Sequence, residues 1–173
     1  MPVSYEGYFA RSIECAIALV AAAPTVISLL TPTTPLDRII EIDGGVEDET
    51  TPLCVAASGN PFNRTTAAFY AHVGADQPEW QKTWNAPQSI TVEGTIPVGL
   101  YFRPAGISLR HELLRYCLSK TGLIAAEIEA QQGQANKWRR IIAQFGGCQF
   151  LDRAGHNRNA LRTQINIQFG DLP

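Results

Sequence analysis

From Leu161 to Phe169 the chain alternates without an error. Leu161, Thr163, Ile165, Ile167 and Phe169 share one phase, and Arg162, Gln164, Asn166 and Gln168 share the other. Period two is the signature of a strand with one buried face, because successive side chains point to opposite sides of a sheet. A slip of one residue would turn the whole apolar set into water, so the register of this strand is strongly constrained. The polar phase consists of three amides and one guanidinium. Such groups can bond a neighbouring subunit without the desolvation cost of paired carboxylates, which makes Arg162, Gln164, Asn166 and Gln168 candidate interface residues.

A second stretch, Ser89 to Lys120, supplies the scaffold around that strand. In SITVEGTIPVGLYF, Ile90, Val92, Ile96, Val98, Leu100 and Phe102 share one phase, and Thr91, Glu93, Thr95 and Tyr101 the other. This predicts a half-buried strand, or a hairpin that pivots near Gly94 or Gly99. Pro97 has no N–H to give a ladder, which puts its strand at an edge or interrupts it there. After Pro104 the period becomes helical, with Ile107, Leu113, Leu114, Cys117 and Leu118 apolar and Arg110, His111, Glu112, Arg115 and Ser119 mostly outside that stripe. Gly122 is placed to end this helix, and Leu123 to Gln132 continues helically beyond it.

Ahead of this scaffold, Glu6 to Ala23 reads as a helix, with Phe9, Ile13, Ala16 or Ile17, and Val20 at helical spacing. Pro24 breaks it, a short apolar turn or helix follows to Leu30, and TPTTP makes a stiff connection. Leu36 to Ile42 and Leu53 to Ala57 read as strands, separated by an acidic loop at Glu47, Asp48 and Glu49. Residues 58–87 form an irregular insertion, long for an ordinary connection, with room for a short helix over Phe69 to Val73. Within it Trp80 and Trp84 stand at one-turn spacing, suited to core packing or to anchoring a subunit contact. Towards the C-terminus, Trp138 to Phe145 reads as a strand, Gly146 and Gly147 as a turn, and Cys148 to Leu151 as a brief strand. The polar loop DRAGHNRN precedes the final strand. The whole, residues 1–173, reads as one α+β domain, a small antiparallel or mixed sheet packed against an N-terminal helix and a central helix.

Composition narrows the function classes. Charged residues make up 17% of the chain, below the usual quarter, and the net charge is -2. A surface rich in amides and poor in charge suits a protein in contact with copies of itself or with other proteins. Fourteen basic against sixteen acidic residues give no general electropositive footprint. Lys137, Arg139 and Arg140 carry the largest local basic bias; were the chain part of a ring through which DNA passes, Arg139 and Arg140 would be the candidates to face it, since a few inward charges suffice. Cys15, Cys54, Cys117 and Cys148 are widely spaced without metal-site intervals, and read as free thiols, mostly buried. The apolar run from Cys15 to Leu30 is broken by Pro24 and is too short to predict a transmembrane helix, so no membrane partner is expected.

The chain has no glycine-rich phosphate loop, HExxH, GxSxG or CxxC motif. His72, His111 and His156 stand in unrelated contexts, and Glu112 next to His111 does not share its helix face. The expectation is no catalytic residue, no cofactor and no metal. An enzyme would need a constellation assembled from distant residues, and a monomeric ligand-binding module would need Trp80 and Trp84 in a cleft.

The order of the pieces FARSIECAIALV, GLYFR, ISLRHELLRYCLSKTGL and LRTQINIQFG resembles that of the tail-terminator family of tailed bacteriophages, minor tail proteins of the virion neck. That resemblance implies a viral structural protein with an N-terminal helix, an antiparallel or mixed sheet, a helix crossing it and a closing strand. It implies assembly as a hexameric ring that caps the tail tube and takes part in head-tail joining, with tail tube protein and head-tail connector protein as partners. It places the chain in the virion, and in host cytoplasm during assembly, and implies no catalytic residues. The insertion at residues 58–87 and the segment QQGQANKWRR do not map onto a minimal member. They leave another neck, tail-completion, head-tail connector or baseplate protein as the alternative.

Overall fold

The computed structural model describes residues 5–30, 39–41, 68–74, 78–85, 89–131, 140–151 and 160–170. The elements in chain order are α1 (Tyr5–Ala22), α2 (Pro24–Leu30), β1 (Ile39–Glu41), β2 (Phe69–Val73), β3 (Glu79–Asn85), β4 (Ser89–Phe102), α3 (Arg110–Ala130), β5 (Arg140–Phe150) and β6 (Leu161–Gly170). This is the expected α+β architecture. The sheet is mixed and six-stranded, in the order β1-β2-β4-β6-β5, with β3 also paired to β4. Among the described strands β1 and β2 run parallel, and the other pairs are antiparallel. The helices lie on one face, α1 and α2 towards β2 and β4, α3 across β5 and β6.

The final strand behaves as its pattern demands. Leu161, Thr163, Ile165, Ile167 and Phe169 are buried and the four polar positions are half-buried. Opposite them on β4, Ile96, Val98, Leu100 and Phe102 are equally buried, each on a rung of the β4–β6 register. Phe102 meets Phe69 of β2 at 5.1 Å between ring centroids and Tyr116 of α3 edge-on at 6.4 Å. These aromatic contacts tie the sheet to the helix above it.

β4 does not turn back at Gly94 or Gly99. It runs unbroken for 14 residues through the centre of the sheet. What changes along it is the neighbour: β2 pairs with Val98–Phe102 and β3 with Ser89–Thr95. Pro97 falls in the seam between the two. Its carbonyl oxygen accepts from the Gly74 N–H at 2.6 Å. In a strand the nitrogen faces the same edge as the carbonyl, so the missing N–H lies where β2 has just ended. A proline is thus tolerated in a central strand because the interruption is confined to one of its edges.

The insertion is more regular than its sequence suggests. Phe69 to Val73 is strand β2, not a helix, and Trp80 and Trp84 belong to strand β3, not to successive helical turns. Within the strand expected over Leu36 to Ile42, Ile39–Glu41 forms β1, and the other positions lie outside the described residues. The strand expected over Leu53 to Ala57, the acidic loop at residues 47–49, Cys54, Arg139 and the DRAGHNRN loop lie outside the described residues.

Helix α3 is one helix of 21 residues, and Gly122 does not end it. Its buried stripe is Leu113, Cys117, Thr121, Ile124 and Ile128, so the apolar face continues past the glycine and packing sustains the helix there. Leu118, expected in that stripe, is 39% exposed. Among the described side chains of α1, Ser12, Cys15, Ala16, Leu19 and Val20 are buried, with Ile13 and Ile17 only half-buried. The face with the smaller side chains is turned inward, which brings the helix close to the sheet. At the start of α2 the Thr25 N–H and hydroxyl both donate to the Glu127 carboxylate, at 2.9 and 2.7 Å. An acidic group from α3 thereby satisfies donors that a helix start leaves without partners. No single described helix is long and apolar enough to cross a membrane, and α1 and α2 meet at a bend of 71°.

Candidate assembly surface

The polar row of β6 lies on the sheet face opposite the helices. Its members bond to one another. Arg162 Nη2 donates to Gln164 Oε1 at 3.2 Å, and Gln164 Nε2 donates to Asn166 Oδ1 at 3.0 Å. Gln168 Nε2 reaches Gln144 Oε1 of β5 at 3.3 Å, in an exposed position. The Arg162 guanidinium stands 5.8 Å from the centroid of the Tyr101 ring, a cation–π distance. Tyr101 and His72, on the same face of β4 and β2, are buried at 5% and 3% exposure. The candidate interface row is thus also bonded within the chain. It is a half-buried amide ladder with much of its bonding capacity used within the chain.

Trp80 is also engaged within the chain. Its indole N–H donates to the Ser12 hydroxyl of α1 at 3.0 Å, and its ring lies across Gly94. A Cβ at Gly94 would stand 2.9 Å from Trp80 Cδ1, so the absence of a side chain there makes room for the indole. Trp84 pairs with Ile90. Among the described residues, 89–92 of β4 pair with β3 alone, so Trp84 belongs to a two-stranded ribbon there.

Arg140 opens β5 and crosses over Gly170 to reach Glu93, with Nη2 to Oε1 at 3.0 Å. Both side chains are about half exposed, so the pair contributes little stability. The structure leaves Arg140 accessible with part of its charge offset.

Patterning read strands on either side of Gly146 and Gly147, and missed that they are one continuous strand, β5. Gly146 and Gly147 do not turn the chain; they sit inside an 11-residue strand at a bulge between Phe145 and Gly147. Gly147 has φ 137°, a conformation open to glycine and strained for other residues. Only one edge of β5 is paired, to β6, among the described residues. On the other edge the Ala143 N–H donates to Glu129 Oε1 of α3 at 3.0 Å. Antiparallel alternation points the backbone groups of Phe145, Cys148 and Phe150 the same way, outward. Phe145 is 54% exposed, although it pairs with the fully buried Ile165. Leu114, Leu118 and Ala125 lie along the helix stripe that also holds Glu129, so they flank the same edge. Two apolar residues exposed along an open strand, one on the strand and one on the helix beside it, are a surface suited to another chain.

The three described thiols differ. Cys15 and Cys117 are buried, while Cys148 is exposed. Burial pushes the Cys15 thiol up to about 11 and the Cys117 thiol up to about 12, the latter with a smaller contribution from the charge of Cys148. Among the described residues no three histidine, cysteine or acidic side chains converge as a metal set.

No family model matches this chain, and no curated protein matches it. Among solved structures the chain is similar to one titled "Virion of native gene transfer agent (GTA) particle". Identity is 8%, coverage is 88% of each chain and the TM-score is 0.46.

Proposed function

We propose that this chain is a non-enzymatic structural component of a phage-like virion, which closes into a homo-oligomeric ring at the end of the tail tube. One face of the ring meets the terminal tube ring and stops its growth; the other receives the head connector. The observation that carries the assembly reading is the second edge of β5, unpaired with any strand among the described residues, on an 11-residue strand with Phe145 exposed and no lysine or proline of its own. A head-to-tail contact made along such an edge closes into a ring when its rotation divides a full turn. The order of helix, sheet, crossing helix and closing strand also agrees with the outline that the tail-terminator resemblance implied, a fold-level analogy. In this reading the subunit contact falls on the β5 edge and the outer end of the amide row at Gln168 and Gln144. Trp80 instead holds α1 to the sheet, and Arg139 and Arg140 face the lumen.

Native mass measurement tests this on the purified chain, alone and mixed with tail tube protein. The expected species is a ring, with a hexamer at six times the 18.9 kDa protomer mass. Phe145→Asp should abolish it while leaving the protomer folded. A strict monomer in both mixtures would overturn the reading.

A further inference from the structure

Cys117 and Cys148 sit on opposite sides of the contact between α3 and the sheet. Cys117 is fully buried on the helix and Cys148 is exposed on the edge strand. Named contacts trace a short path between them. Cys148 pairs with Thr163 across the β5–β6 register. The hydroxyls of Thr163 and Thr121 are 2.7 Å apart, which brings the helix directly onto that rung. Thr121 Oγ1 then donates to the Cys117 carbonyl one turn earlier, at 2.7 Å. Cys117 and Thr121 occupy successive turns of one helix face, and Cys148 and Thr163 stand side by side on one sheet face.

The direction of α3 brings the two cysteines level. The Arg110 guanidinium lies 4.3 Å from the centroid of the Phe150 ring, and Glu129 takes the Ala143 N–H. The helix therefore runs antiparallel to β5. Seven helical residues beyond Arg110 cover about 10 Å, and two strand residues back from Phe150 cover about 7 Å. Cys117 and Cys148 thus fall at similar heights. The electrostatic influence of Cys148 on Cys117 agrees with that placement.

We propose that Cys117 and Cys148 form a thiol pair that a hydroperoxide closes into a disulfide, fastening α3 to edge strand β5. The accessible Cys148 reacts first: its thiolate attacks one peroxide oxygen, the O–O bond breaks, and the departing oxygen leaves as an alcohol, or as water from hydrogen peroxide. Cys148 is then a sulfenic acid. Cys117 gives its proton to solvent and attacks the Cys148 sulfur; the S–S bond forms, the S–O bond breaks, and hydroxide leaves as water. Two thiols and one hydroperoxide yield one disulfide, with two electrons passing from sulfur to oxygen. Burial keeps Cys117 protonated, so the second step is slow and waits on transient loosening of α3 from β5. Cys148 lies on the strand whose edge the assembly reading gives to the subunit contact, so this inference concerns the protomer before that contact forms.

The test treats the full chain with hydrogen peroxide, blocks remaining thiols with an alkylating agent and maps the unreduced digest by mass. The expected product is a peptide pair joining Cys117 to Cys148, lighter by two hydrogens, and absent from both Cys148→Ser and Cys117→Ser. The oxidised protein should melt roughly 5–10 °C higher, and a dithiol should reverse the change. Cys148 lies on the surface, so its variant keeps the test open even where the buried substitution fails to fold. Recovery of Cys117 as an alkylatable thiol after denaturation would overturn the proposal. So would Cys148 ending as a sulfinic acid, joined to Cys54, or joined to Cys148 of a second copy.

Discussion

β5 and β6 are neighbours of almost equal length, eleven and ten residues, paired with each other from end to end. One alternates cleanly between buried and half-buried positions and the other does not. The difference lies in what surrounds them. β6 has a strand on each edge, and its apolar face lies under α3 on a rung that includes the Thr121–Thr163 contact. β5 has one paired edge among the described residues, a bulge in its middle, and a helix face that covers it only in part. A strand enclosed on both edges must keep strict period two, because any error puts a polar group in the core. An edge strand escapes that requirement, and its exposed backbone becomes available for docking. On the proposed reading the two strands divide the labour, β6 holding the domain together and β5 presenting it.

The largest expected effect tests that division on a single rung. Ile165→Ala should cost about 2–4 kcal/mol in denaturant unfolding, as for a large apolar side chain removed from a packed site. Phe145→Ala, directly opposite, should cost less than about 1 kcal/mol in the isolated protomer while weakening association measured by native mass. Equal losses from the two would dissolve the distinction between core and presenting strands.

Gly147→Ala probes the bulge. The left-handed region is strained for alanine, and a cost of about 1–3 kcal/mol is expected although nothing lies within 4 Å of the added Cβ. Space without stability would separate backbone strain from crowding, and a neutral substitution would remove the bulge from the account.

The thiols sharpen the same contrast through pH. Cys15 and Cys117 have folded values of about 11 and about 12 against an ordinary 9.0, so the folded chain keeps protons that the unfolded chain loses. Their contribution is fully present below pH 9 and is lost as pH rises from there through about 11 and 12. Melting temperature followed from pH 8 upward should fall less steeply in Cys117→Ala than in the unsubstituted chain.

The smallest effect concerns α3, the helix over both strands. Gly122 sits at mid-helix with open space around it, so Gly122→Ala should stabilise by about 0.5–1 kcal/mol in thermal melts. A loss there would mean that the glycine serves a contact not accounted for by its surroundings.

Patterning by itself was enough for the α+β class, the N-terminal and central helices, the existence of the long strand before α3, and the final strand to within one residue. Each of these has one face buried along its length, so burial writes its period into the residues. The rest depended on contacts distant in the chain. Gly122 and the Gly146–Gly147 pair look like stop signals, yet the helix continues because Ile124 and Ile128 remain under cover, and β5 continues because β6 supplies its ladder. Pro97 is tolerated in a central strand because β2 ends beside it. Trp80 and the amide row read as material for a partner, and the structure shows that Ser12, Gly94 and the row's own members also engage them within the chain. Which polar groups are left available to other molecules is a property of completed packing, and no local spacing of residues contains it.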